Sequence, residues 1–153
     1  GLTTSEANSI FVSNNNVYIC GKDNNWDARW WNNGTAEDYV NDTTYASVLY
    51  SVYVSNGDVY LSGYENHPTK SKKVAKVWKN EDPQYILTSG DEEAIAYSIN
   101  VLAEDVYACG YENNGTNNVA KWWINGVEQT PILTDGSFSS EALSIKIVLR
   151  TGD

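Results

Sequence analysis

One acidic and one basic residue recur at matching places along this chain: Asp23 with Arg29, Glu65 with Lys76, and Glu112 with Lys121. A carboxylate beside a cation in each of three stretches is the pattern of a repeated polar site for a sugar or an ion. It is also the pattern of an ion pair that recurs because its scaffold recurs. Recurrence favours the scaffold, since a catalytic carboxylate has no need to return in every copy. Trp31, Trp78 and Trp123 align as well, with Trp30 and Trp122 on the opposite strand face. Such rings act as platforms for carbohydrate or as apolar wedges between packed elements, and burial favours the wedge. Trp26 has no counterpart elsewhere and shares its loop with Asp23 and Asp27. The candidate ligand contacts are therefore Trp26, Asp23, Asp27, Glu65, Glu112, Trp31, Trp78 and Trp123, and no residue stands out as catalytic.

Other chemistry finds little support. The loops Asp23-Asn24-Asn25-Trp26-Asp27 and Glu112–Asn118 are rich in oxygen ligands suited to calcium. They lack the spacing of an EF-hand loop, and turn chemistry accounts for their Asn and Asp. His67 is the only histidine, and one His with no partner Cys does not make a zinc site. The lysines near it, Lys70, Lys72 and Lys73, read as a solvated loop. No nucleophile elbow, P-loop or dinucleotide fingerprint occurs. No cofactor or metal is expected.

Composition narrows the partners. The 153 residues carry 10 Lys+Arg against 20 Asp+Glu, a formal net charge of −10. Such a surface repels phosphate backbones, so nucleic acid is a poor partner, and no apolar run reaches the ~18 residues of a membrane span. Aromatic content is 12%, with 6 Trp and 11 Tyr but only 2 Phe, and rings with a polar tip suit half-buried β faces and sugar-binding surfaces. Cys20 and Cys109 hold equivalent places two repeats apart, where the middle repeat has Ser62. That separation argues against a disulfide and for buried thiols.

The elements that position these residues repeat. Ser9-Ile10, Ser51-Val52, Ser98-Ile99 and Ser144-Ile145 are spaced 42, 47 and 46 residues apart, a period that signals a repeat architecture. Each unit holds four short runs. The first (Ser9–Ser13, Ser51–Ser55, Ser98–Leu102, Ser144–Leu149) alternates with the period of a strand. A turn follows at Asn14-Asn15-Asn16, Asn56-Gly57-Asp58 or Ala103-Glu104-Asp105. The second run (Val17–Gly21, Val59–Gly63, Val106–Gly110) is apolar on both faces, which places it between packed layers. Variable loops follow at Lys22–Asp27, Tyr64–Val74 and Tyr111–Val119. The third run carries the aligned tryptophans, and a fourth is expected near Tyr39-Val40, Tyr85–Leu87 and Ile132-Leu133. With no helical periodicity, the chain reads as all-β. Four antiparallel strands per unit with two-faced burial predict β-propeller blades, with a β-sandwich as the rival. The array is one unit: repeat 1 at about 7–45, repeat 2 at about 46–93, repeat 3 at about 94–141 and a partial fourth at 142–153.

The pattern Ser98-Ile99, Asp105-Val106-Tyr107, Gly110-Tyr111-Glu112, Val119-Ala120-Lys121, Trp123, Asn125-Gly126 and Leu133–Gly136 resembles the tandem repeats of uncharacterised exported β-propeller proteins of Bacteroidetes-type bacteria. The middle repeat matches in Asp58-Val59-Tyr60, Gly63-Tyr64-Glu65, Val74-Ala75-Lys76 and Trp78. The first departs most, with Lys22-Asp23 for Tyr-Glu. The resemblance implies an exported, extracellular, periplasmic or cell-surface propeller and is nearly silent on activity. Three full blades do not close a ring, which takes about four to eight. The expectation is self-association, most simply a homodimer with six blades, or a piece of a longer propeller, with the surplus first run crossing to a neighbour. The function expected is a non-catalytic binding or interaction module for carbohydrate or protein. The alternatives are a propeller glycosidase or lyase, and a pure scaffold.

Overall fold

The computed structural model describes residues 4–23, 25–37, 40, 44–130 and 133–149. Twelve strands make three four-stranded antiparallel sheets, and among the described residues there is no helix. Sheet 1 contains β1 (Glu6–Ser13), β2 (Asn16–Lys22), β3 (Ala28–Asn32) and β4 (Thr35–Ala36). Sheet 2 contains β5 (Ser47–Ser55), β6 (Asp58–Asn66), β7 (Lys73–Lys79) and β8 (Asp82–Ile86). Sheet 3 contains β9 (Ala94–Leu102), β10 (Asp105–Asn113), β11 (Asn118–Ile124) and β12 (Val127–Glu128). In each sheet the strands lie in sequence order, as consecutive hairpins.

The turns explain the meander. Asn14-Asn15, Asn56-Gly57 and Ala103-Glu104 each place both central residues at positive φ. So do Asn33-Gly34, Asn80-Glu81 and Asn125-Gly126. This is the mirror-image turn whose twist matches that of the flanking strands. Asparagine recurs in the second set for an added reason. Oδ1 of Asn33, Asn80 and Asn125 accepts the backbone N–H of Val17, Val59 and Val106 at 2.8–2.9 Å, tying the third strand's turn to the start of the second strand.

Both faces of the middle sheet are buried. Phe11, Tyr18, Cys20, Ala28 and Trp30 of sheet 1 pack on Leu49, Val52, Val54, Leu61 and Trp78 of sheet 2. On its other face, Tyr53, Tyr60, Ala75 and Val77 pack on Ala96, Ile99, Val101, Ala108 and Trp123 of sheet 3. Trp78 and Trp123 therefore hold the same station in successive interfaces. Neighbouring first strands are also tied by one recurring bond: the Val52 N–H donates to Ser9 Oγ at 3.4 Å and the Ile99 N–H to Ser51 Oγ at 3.3 Å. A small hydroxyl thus satisfies a main-chain donor that no ladder reaches.

Two expectations need correcting. The fourth strand of sheet 2 holds Tyr85 and Ile86 as expected but starts at Asp82. In sheets 1 and 3 the fourth strands lie earlier than the apolar pairs suggested, because the tight turns send the chain straight back. Val40 and Leu87 plug the interfaces as buried side chains outside any strand, while Tyr39 and Ile132 fall outside the described residues. Ser144–Leu149 forms no sheet ladder, although it lies beside sheet 3.

Two stability tests follow from the packing. A Cβ on Gly63 would strike the Val48 carbonyl oxygen, whereas one on Gly57 would meet nothing within 4 Å. Gly63→Ala is expected to cost about 3 kcal/mol and Gly57→Ala only about 1 kcal/mol from its positive φ, read from urea-unfolding midpoints. Ser62 Oγ is buried with no hydrogen-bond partner, where the sister sheets carry the free, buried thiols of Cys20 and Cys109. Ser62→Cys should therefore stabilise the chain by about 1 kcal/mol, the lower end of the cost of an orphaned hydroxyl.

Candidate functional site

Each first strand carries one extra residue opposite its partner. The register shifts between Ala7 and Ser9, between Leu49 and Ser51, and between Ala96 and Ser98, leaving Asn8, Tyr50 and Tyr97 unpaired. Facing these bulges stand Gly21, Gly63 and Gly110, and any Cβ there would collide with the carbonyl oxygen of Glu6, Val48 or Ile95. Glycine admits the close approach, and the bulge turns its side chain away from the alternating pattern.

The turned side chains meet. Tyr50 and Tyr97 make an edge contact with centroids 5.2 Å apart, Tyr64 lies 6.3 Å from Tyr50, and Tyr111 lies 5.9 Å from Tyr97. The four rings form one arc across sheets 2 and 3. Tyr64 and Tyr111 are buried beneath it and Tyr50 and Tyr97 half-buried. Burial pushes Tyr64 and Tyr111 up to about 12, helped at Tyr64 by Tyr50 and then Glu93 and at Tyr111 by Glu93 and then Glu141. Burial and Glu6 raise Tyr50, and burial and Glu141 raise Tyr97. All four phenols therefore stay protonated and serve as neutral donors and acceptors. Tyr50 and Tyr97 offer partly exposed rings and hydroxyl edges. Glu6 pairs with Lys22 and Glu93 with Lys73, whose ammonium lies 5.1 Å from the Tyr64 ring centroid. An edge so nearly neutral suits a neutral, hydroxyl-rich ligand. Sequence reasoning missed it, although Tyr50 and Tyr97 both directly precede the aligned serines.

Of the residues singled out from sequence, Asp23, Trp26 and Asp27 share one loop, while the others are spread over three sheets. Trp78 and Trp123 are 0% and 1% exposed, so they present no ring to a ligand and are wedges between sheets. Trp31 is half-buried and lines a shallow depression of about 300 Å³ with Glu6, Ile19 and Gly34. Trp26 is exposed, at positive φ, with the Lys22 ammonium 2.9 Å from its ring centroid. Lys22 also pairs with Glu6 at 3.3 Å, so sheet 1 carries an ion pair and a cation–π contact where sheets 2 and 3 carry tyrosine. Asp23 Oδ1 accepts the N–H of Asn25 at 2.9 Å and of Asp27 at 3.4 Å, which folds the loop onto its own carboxylate. Burial, then the Asp23 charge, raises Asp27 above the usual carboxylate range.

The recurring acids are held by the recurring lysines. Glu65 and Lys76 meet at 2.5 Å with both side chains largely buried. Lys121 lies 4.0 Å from Glu112 and 2.5 Å from Glu128. Beside the first pair, His67, Pro68, Thr88 and Ser89 line a cavity of about 310 Å³. The lysines of this loop are solvent-accessible, as the sequence reading has it, and each is also ion-paired. Lys70 pairs with Asp91 at 2.7 Å, Lys72 with Glu92 at 3.2 Å and Lys73 with Glu93 at 3.7 Å, zipping the loop of sheet 2 to the segment that enters sheet 3. No family model, curated protein or solved structure matches this chain.

Burial raises the Glu112 carboxyl despite the opposing charge of Lys121. A folded-state value above the unfolded one means that the contribution to stability is full at low pH and lost as pH rises through the folded value. Glu112→Gln is therefore expected to melt higher than the native chain at pH 7. That advantage should close as the pH falls below the normal glutamate range, which melting curves between pH 7 and pH 3.5 will show.

Proposed function

We propose that this chain is a propeller-type repeat module, exported from its cell, that binds another molecule without transforming it. The tyrosine arc carries this reading: the partly exposed rings of Tyr50 and Tyr97, set on the buried Tyr64 and Tyr111 and ordered by paired glycines and bulges, form a surface and not a reaction centre. A carbohydrate with neutral, hydroxyl-rich faces fits it best, because such a ligand stacks on rings and bonds to phenols at once. Glu65 and Glu112, which recur with the scaffold, are engaged by Lys76 and Lys121. Generic acid–base work needs one carboxyl free to protonate a leaving group and a second placed across the ligand.

The three sheets are the blades in this proposal, and a second copy completes a ring of six. The support is the face of β1. Ile10 and Val12 are 64% and 62% exposed, while their equivalents Val52, Val54, Ile99 and Val101 are at most 8% exposed under the preceding sheet. Apolar faces of that kind are covered in stable folds by a partner.

Titration calorimetry with neutral oligosaccharides tests the ligand. Tyr50→Ala and Tyr97→Ala should each weaken binding about 10-fold, equal to about 1.4 kcal/mol. Absence of binding by every neutral oligosaccharide, or affinity untouched by both substitutions, would sink the carbohydrate reading. Light scattering tests the ring: mass should rise towards a dimer with concentration, and Ile10→Asp should hold it at the monomer.

A further inference from the structure

Residues 142–149 take the station that a first strand takes in each sheet. The Ala142 N–H donates to the Gly110 carbonyl at 3.1 Å, and the Cys109 thiol donates to the Ala142 carbonyl at 3.4 Å. The Ile145 N–H donates to Ser98 Oγ at 3.2 Å. That last bond is the third member of the series made by Val52 on Ser9 and Ile99 on Ser51. The segment also copies β1 in sequence: Ala142, Ser144, Ile145 and Ile147 stand where β1 has Ala7, Ser9, Ile10 and Val12.

The two segments differ in how they are held. β5 and β9 sit on the preceding sheet and are also fixed by long ladders to β6 and β10. Among the described residues no strand pairs with 142–149, and Leu143, Val148 and Leu149 are exposed. Beneath it, the Trp122 indole N–H is buried without a partner. The segment is thus the most weakly anchored piece on a seat whose shape is otherwise that of a sheet-to-sheet interface. Meanwhile β1 presents the matching motif with its apolar face bare.

We propose that the outer face of sheet 3, built on the Ser98 hydroxyl, Cys109 and Trp122, is a strand-receiving seat. Residues 142–149 fill it in cis, and β1 of a second copy displaces them when two copies join. This rests on the ring reading above. A second copy is the occupant because its sheet 1 offers the geometry already seen twice within the chain, where sheet 2 seats on sheet 1 and sheet 3 on sheet 2. Two first strands cannot occupy one seat, so ring closure through it requires the segment to leave. The segment is then a brake on assembly, and its departure moves the apolar face of β1 from water into an interface.

Hydrogen exchange on the native chain at low and high concentration tests this directly. As dimer forms, the amides of Ala142 and Ile145 should lose protection while those of β1 gain it. Light scattering supplies the second arm. Ile145→Asp with Ile147→Asp should release the segment and tighten dimerisation at least 10-fold, and a peptide of residues 142–149 added in trans should return that variant to monomer. If the native chain dimerises with 142–149 and β1 both gaining protection, or if the released variant dimerises more weakly, displacement is wrong and the ring reading stands. If neither chain associates at any concentration, both fall. A released variant whose β5–β7 amides exchange freely has unfolded, and the native-chain exchange experiment then decides.

Discussion

The close approach of a first-strand carbonyl to a glycine in the second strand sets most of what is distinctive here. Gly21, Gly63 and Gly110 each lie where a side chain would strike the carbonyl of Glu6, Val48 or Ile95. Without that contact the first strand would continue in regular register, and its next side chain would point into an interface between sheets. With it, one residue is left over, and the residue is Asn8, Tyr50 or Tyr97. The tyrosine arc is a consequence of a missing methyl group. In sheet 1 the same bulge delivers Asn8, whose side-chain amide donates to the Leu49 carbonyl at 2.8 Å, and the aromatic surface stops there.

The bulge also separates two jobs within one strand. On one side of it, Val52, Val54 and their counterparts keep strict alternation and fill the interface with the tryptophan wedge. On the other side, Tyr50 and Tyr97 turn away from the sheet-to-sheet interface and pack half-buried against Val48, Tyr64, Ile95 and Tyr111. A sheet buried on both faces has no other place to show a ring without opening its core. The interface itself is apolar except for the serine that receives the next strand's N–H and, on sheet 2, the buried Ser62 hydroxyl. Replacing that hydroxyl with a larger group would fill the gap between first strands, and removing it would strand a main-chain donor.

Much of the architecture was legible in the sequence because it rests on local rules. Alternation marks the strands, Asn-Gly and its variants mark the turns, and the tryptophans mark one station in successive sheets. The site was less legible for a stated reason. Period-two reasoning follows regular alternation, which begins at Ser9, Ser51 and Ser98, one residue past each bulge, so Tyr50 and Tyr97 fall outside the runs it marks. The zipper from Lys70, Lys72 and Lys73 to Asp91, Glu92 and Glu93 was missed because its partners lie on different loops, 20 or so residues apart. Composition alone shows such lysines as a basic patch, yet pairing leaves them nearly neutral as a group. The fourth strand was legible in sheet 2, where Tyr85 and Ile86 pair with Val77 and Lys76, but Val40 and Leu87 lie outside the ladders because they are apolar for the interface.

Charge draws the remaining distinction between scaffold and surface. The recurring acids Glu65 and Glu112 come with a lysine at the same station in each sheet, so their charges are cancelled where they stand. The acids near the arc do not recur in this way: Glu6 and Glu141 stand where Val48 and Ile95 stand in the other sheets. Glu6 is engaged by Lys22, and Glu141 accepts the Asn118 side-chain amide at 2.7 Å. Both nonetheless raise the phenols beside them. The chain as a whole carries net charge −10, yet beside the arc Glu6 and Glu93 stand paired with Lys22 and Lys73. Repetition built the frame, and the departures from repetition, at Asn8, Lys22, Glu6 and Glu141, mark the ends of the arc.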